Sequence, residues 1–170
     1  MIALSLTQPW ATLIAIGAKR IETRSWSTKY RGLMAIHAAK GFPVEAQQAC
    51  EGSSFVRALD GGRSSARYYT PPHVGSRRFD GGLPLGQIIA TARLLDVRPT
   101  KPYDDDEAFR ATDECAFGDY SAGRFAWVFD DVTALAVPIP CKGALSLWDV
   151  PAGIYEAIAP QLLLAARRME

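Results

Sequence analysis

Between Gly17 and Trp26 the chain reads GAKRIETRSW, which places Lys19, Glu22, Arg24 and Trp26 within one short stretch. A lysine beside a carboxylate in a partly dry pocket supports two kinds of chemistry. With its pKa lowered by burial it serves as a base, and while charged it stabilises a developing oxyanion. Glu22 can take a proton from water or from an exocyclic amine. Arg24 offers a planar fork to a carbonyl or phosphate, and Trp26 offers a stacking face. The same spacing also fits a solvated strand whose alternate charged residues simply face water, and spacing alone leaves both readings open.

The elements that must position these residues follow from periodicity. Residues 2–7, IALSLT, suit a short strand, and Pro9 suits the first turn of a helix, where its missing N–H costs nothing. Trp10, Leu13 and Ile14 keep the helical period, and Gly17 is placed to stop it. Residues 20–26 alternate as a strand, with Ile21, Thr23 and Ser25 toward one face and Glu22, Arg24 and Trp26 toward the other. Lys19 is then expected at the mouth of a cleft at the helix end. LMAIHAAK (33–40) reads as a strand, and Pro43 opens a helix expected to run to about Leu59. LPLGQIIATARLLDVRP (83–99) reads as a central strand, and the acidic YDDDEAFRATDECA (103–116) as a helix start. GRFAWVFDDV, ALAVPIP and GALSLWDV are expected as three further strands, and the tail as a helix kinked or split at Pro160. Strands of uneven length interrupted by short helices predict a mixed α/β (α+β) fold, a small barrel with helices around it.

Composition narrows the function classes. The 170 residues are 48% hydrophobic and 22% charged, with a net charge of +1. That suits one globular domain over residues 1–170, and it supplies no bulk field for nucleic acid. No apolar run approaches the roughly 20 residues of a membrane span, and MIALSLTQPW does not resemble a signal peptide. Three scattered cysteines and two histidines assemble no zinc spacing, so no cofactor or metal is expected, and a cytoplasmic location is the simple expectation. No P-loop, G-x-G-x-x-G or G-x-S-x-G motif is present. Residues 60–82 are dense in Gly, Ser, Pro and Arg and predict a mobile loop. Its Arg63, Arg67, Arg77 and Arg78 alternate with Tyr68, Tyr69 and Phe79. Such a loop could close over a base or polyanion, or be a plain solvated insertion.

GAKRIETRSW matches the G-x-K-x-x-E-x-R signature of the ASCH family, a branch of the PUA-like superfamily. LSLTQPWATLIAIGAKRIETRSW, YRGLMAIHAAK, FGDYSAGRFAW and KGALSLWDVP resemble, in order, segments of its endothelial-overexpressed, lipopolysaccharide-associated-factor-like branch. The resemblance implies a PUA-like β-barrel surrounded by short helices, a cleft between barrel and helices, and pyrimidine nucleoside or RNA ligands. It also implies a possible kinship with amidohydrolases that remove acyl groups from N4-acylcytosines and N4-acetylcytidine. In small bacterial members a Lys, a Thr and a Glu are credited with the chemistry. The Lys matches Lys19, whereas Glu22 stands at the Thr position. Direct attack by water is then expected, with Glu22 or a second carboxylate as base and Lys19 as oxyanion stabiliser or proton donor. The family's second glutamate lies in the helix after the central strand. Glu107 and Glu114 are the candidates there, and Glu114, close before FGDY, is preferred.

Further site residues are expected around this core. Gln8, Pro9 and Trp10 lie at the first helix, where the Gln8 amide could pair with a cytosine edge and Trp10 could equally be core. Tyr120 and Arg124 flank SAG and either close the cleft or form a surface turn. His37 is expected as a satisfied barrel histidine, Trp127 and Trp148 as core, and Lys142 as a solvated turn residue. The resulting expectation is a metal-independent amidohydrolase acting on a small modified pyrimidine nucleoside. It requires no membrane and no obligate protein partner. A non-catalytic RNA-binding module is the alternative, and a ribonuclease a lesser one.

Overall fold

The order of elements follows the alternation of apolar runs and breakers. The structure, a computed structural model, describes residues 1–61 and 82–167. Positions 62–81 of the expected loop lie outside the described residues, and residues 60 and 61 end a helix. Strand β1 (Ile2–Leu6) leads into the short helix α1 (Trp10–Ala15), and then come β2 (Ile21–Arg24) and β3 (Gly32–Ala38). Two helices follow, α2 (Val44–Ala49) and α3 (Ser53–Gly61), where one was expected. Gly52 sits at the break, where a helix-interior glycine costs about 1 kcal/mol relative to alanine.

Strand β4 (Gln87–Pro99) is followed by three single-turn helices, α4 (Lys101–Asp104), α5 (Glu107–Arg110) and α6 (Asp113–Ala116). The acidic stretch is therefore not one helix. Asp106 accepts from Phe109 N and Thr112 accepts from Cys115 N, so each side chain caps a new turn in place of continuing the last.

Strand β5 (Phe125–Pro140) runs through what the sequence suggested were two strands. Between Thr91 and Arg93 of β4 the register on β5 moves from Thr133 to Asp130, so β5 carries one extra residue there. Asp131 absorbs it at φ 49°, a bulge and not a turn. Strand β6 (Leu147–Asp149) and helix α7 (Ala152–Ala166) complete the described chain, with α7 continuous through Pro160. Ile158 and Leu162 anchor α7 to the core on either side of that proline, and the Gln161 amide grips both N and O of Val137 at 2.9 and 3.0 Å.

The six strands form one sheet in the order β2-β5-β4-β3-β1-β6, antiparallel except for β1 with β3. The sheet is curled, because Arg24 on the outermost strand donates from Nη2 to Ser5 O on β1 at 2.9 Å, although three strands separate them in the sheet order. Inside the curl, α1 packs with Leu4, Ile36, Leu94, Trp127 and Phe129 into the main core. Ala3, Ala35, Ile88 and Leu135 form a second core with α7 through Ile158. No helix among the described residues is long and apolar enough to cross a membrane.

Candidate active site

Strand β2 pairs with β5 on one side only, and its other edge would be left bare. Groups from the turn after α1, from α6 and from the segment after α6 seal it. Glu114 accepts from Arg20 N at 2.7 Å and Ile21 N at 3.1 Å. Lys19 Nζ donates to Ile21 O and, at 3.0 Å, to Phe117 O. Arg124 Nη2 donates to Thr23 O at 3.2 Å, and Thr23 Oγ1 accepts from Asp119 N at 3.1 Å. The edge of β2 is thus the line along which the candidate site residues gather.

Helix α1 ends as the sequence suggests, with Gly17 at φ +75° and Lys19 N returning to Leu13 O at 3.0 Å. The lysine side chain, however, does not stand at the cleft mouth. It is 0% exposed, 3.9 Å from Glu22 Oε2 and 3.8 Å from Glu114 Oε1. Burial lowers its pKa from the ordinary lysine value, and the carboxylates of Glu22 and Glu114 oppose that shift. Two of the three ammonium hydrogens are spent on Ile21 O and Phe117 O, which leaves one for the two carboxylates.

Glu22 stands between Lys19 and solvent. It is 13% exposed, and Arg24 Nε lies 3.3 Å from its Oε1. Glu22 also lines a cleft of about 410 Å³, together with the polar Thr23, Asp119 and Arg124 and the aromatic Trp10, Phe55 and Phe117. The aromatics meet edge to face, Trp10 on Phe55 at 6.0 Å and Phe55 on Phe117 at 5.0 Å. Arg124 is held by Asp119 O at 3.1 Å and by the Asp119 carboxylate at 3.3 Å. The cleft thus combines an aromatic wall, a carboxylate braced by two cations, and one guanidinium. Its volume suits a small ligand.

Several expected site residues lie elsewhere. Gln8 is 0% exposed and its amide is spent, donating to Pro84 O at 2.9 Å and accepting from Thr12 N at 3.1 Å, so it cannot pair with a base edge. Pro9 is buried at the start of α1. Trp26 packs on the main core, edge to face with Trp127 at 4.6 Å, and offers no stacking face to the cleft. Tyr120 is 5% exposed beneath the cleft, among Tyr103 and Phe109, with its hydroxyl 3.5 Å from Glu114 Oε1. Burial, and then the Glu114 charge, raise its pKa. Glu107 is exposed on α5, whereas Glu114 sits on α6 against Lys19. Trp127 is fully buried, and Lys142 is exposed.

No motif or periodicity nominates Phe55, Phe117, Thr23 or Asp119 as site residues. Strand alternation turned Thr23 away from Glu22, but the cleft wraps the edge of β2 and both residues line it. Gly118 makes this wrapping possible. A Cβ there would lie 2.7 Å from Tyr120 Cε2 and 3.2 Å from Thr23 Cγ2. Gly118→Ala is expected to cost about 1–3 kcal/mol, read from urea unfolding.

His37 is 2% exposed, with Nε2 3.0 Å from Cys141 O and Nδ1 3.1 Å from Ser5 Oγ. A carbonyl only accepts, so Nε2 carries the hydrogen and Nδ1 accepts from the serine. Burial lowers its pKa, partly opposed by the bond to Cys141. As pH falls, the unfolded histidine therefore takes up a proton first. Stability from this group is complete above about pH 6.5 and is lost below it. Unfolding midpoints measured from about pH 8 to pH 5 should fall, and His37→Gln should flatten the profile across that window.

Known proteins resemble this chain in sequence and in fold. Activating signal cointegrator 1 from Mus musculus is 26% identical over 163 residues, 94% of this chain. The Homo sapiens protein of that name is also 26% identical over 163 residues. The chain spans 24% of the length of each of these relatives. A crystal structure of ASCH from Zymomonas mobilis shares the fold at a TM-score of 0.52 and 14% identity, covering 94% of this chain and 93% of that one. The family described as ASCH domain matches residues 4–139, from β1 to the end of β5, a span that includes the whole β2 edge with Lys19, Glu22 and Glu114. The chain belongs to the ASCH domain family.

Proposed function

We propose that the cleft binds a pyrimidine nucleoside acylated on its exocyclic nitrogen, of the N4-acetylcytidine type, and hydrolyses that amide. The observation that carries the reading is that Glu22, of the trio Lys19, Glu22 and Glu114, is the member lining the cleft. The pyrimidine ring lies against Trp10 and Phe55, with its acyl group toward Glu22. The Glu22 carboxylate takes a proton from water as the water oxygen bonds to the acyl carbon. Arg124, the guanidinium lining the cleft, faces the oxyanion that forms. When the tetrahedral centre collapses, the C–N bond breaks and Glu22 returns its proton to the departing amine, giving the nucleoside and a carboxylate. Lys19 and Glu114 are positioning residues in this scheme. The buried ammonium holds Glu22 in place, and Glu114 holds both the ammonium and the edge of β2.

The test is incubation of the pure protein with N4-acetylcytidine at about 50 and 200 mM salt, following cytidine by chromatography. Turnover that barely responds to salt is the expected result. Absence of turnover across several acyl groups, together with RNA binding that weakens steeply between the two salt conditions, would replace this reading with that of a nucleic-acid-binding module.

A further inference from the structure

A second cavity, of about 680 Å³, shares no lining residue with the cleft. Its floor is Ser5 and His37, its walls include Leu85 and Leu145, and Lys40 and Lys142 stand at its sides. Every donor of the floor is already committed. Trp148 Nε1 donates to Ser5 Oγ at 3.1 Å, Ser5 donates to His37 Nδ1, and His37 Nε2 donates to Cys141 O. The floor therefore places no polar demand on a ligand.

The walls differ in kind from those of the cleft. The cleft is lined by Trp10, Phe55 and Phe117, whereas the described residues lining the second cavity include no Phe, Tyr or Trp, and its apolar surface comes from Ala39, Leu85, Ala144 and Leu145. Leu145 is 93% exposed, an apolar side chain left uncovered at the opening. Arg20, Arg31, Arg57, Arg93 and Arg124 each have an aspartate partner, but Lys40 and Lys142 have no acidic partner among the described residues. Two unpaired cations beside an aliphatic pocket with a satisfied floor are complementary to an amphiphile, not to a nucleobase.

We propose that this cavity is a ligand site for an aliphatic chain ending in an anionic head group. The chain lies over the Ser5–His37 floor between Leu85 and Leu145, and the head group sits between the Lys40 and Lys142 ammoniums. The inference does not depend on the reaction proposed for the cleft.

The experiment uses the 15N-labelled full chain titrated with sodium octanoate, octyl phosphate or octanol. Saturable amide shifts are expected at Lys40, Gly86, Lys142 and Leu145 with both anions, and the tighter of the two names the head group. Octanol should bind roughly tenfold more weakly, since each partly exposed charge contact is small and two are lost. Lys40→Met combined with Lys142→Met should weaken octanoate roughly tenfold and leave octanol unchanged. Leu145→Ser should weaken all three ligands. These side chains are exposed, so the variants should fold as the parent does. Shifts without saturation, shifts confined to Trp10 and Phe55, or a double lysine variant that binds octanoate unchanged would overturn the proposal.

Discussion

Glu22→Gln is expected to lower the rate of N4-acetylcytidine hydrolysis by roughly 10²–10⁴-fold, the usual contribution of a positioned general base. The amide keeps the size and flatness of the carboxylate, so it should still rest against Arg24 and in front of Lys19. What it loses is the capacity to take a proton from water. The effect should therefore fall on kcat, with KM little changed, because the aromatic wall and Arg124 are untouched. Thermal unfolding of the variant, measured beside the kinetics, separates loss of the base from loss of the fold. Lys19 retains Glu114 and the carbonyls of Ile21 and Phe117, so the fold should persist. Undiminished turnover in a folded Glu22→Gln protein would remove Glu22 from the chemistry.

Lys19→Met should have the largest effect on stability of any single change at the site, about 3–5 kcal/mol. Methionine fills much of the volume of the lysine stem, so little of this loss comes from a cavity. The cost is electrostatic. Glu22 and Glu114 are 13% and 17% exposed and both lie within 3.9 Å of the same ammonium. Without it they face each other with no shared cation, while Ile21 O and Phe117 O lose a donor inside the protein. The edge of β2 and the segment from Phe117 to Arg124 should loosen together, seen as faster amide exchange at Asp119 and Ile21. A loss below about 1 kcal/mol would mean that the buried ammonium is not the centre of this network.

The sequence carried the sheet well and the site unevenly, for physical reasons that differ residue by residue. Period-two alternation correctly set Ile21 and Thr23 apart from Glu22 and Arg24, because β2 has one buried face. It did not reveal that β2 is an edge strand, and the edge is where the cleft forms. The burial of Lys19 was illegible locally. Lysine is almost never fully buried unless paired, and its second partner, Glu114, comes from a helix far along the chain. Preference for Glu114 over Glu107 rested on its closeness to FGDY, and the structure sets it on the backbone of Arg20 and Ile21.

Gln8 illustrates the opposite failure. Its amide looked available because the residue is polar and close to the signature, but the start of α1 and Pro84 consume it. Alternation places Trp26 on the polar face, yet beyond Arg24 the strand has ended and the indole turns onto Trp127. The expected gap between GRFAWVFDDV and ALAVPIP falls at Thr133, inside the continuous β5. The long pairing with β4 carries the strand across that position, and a bulge at Asp131 takes up the extra residue.

The most direct measurement is a crystal structure of Glu22→Gln with N4-acetylcytidine, in which substrate should accumulate unhydrolysed. The account predicts the pyrimidine ring against Trp10 and Phe55, the acyl carbonyl oxygen toward Arg124, and the acyl carbon within one water of residue 22. A nucleoside bound elsewhere, or an acyl group pointing away from residue 22 into solvent, would contradict it.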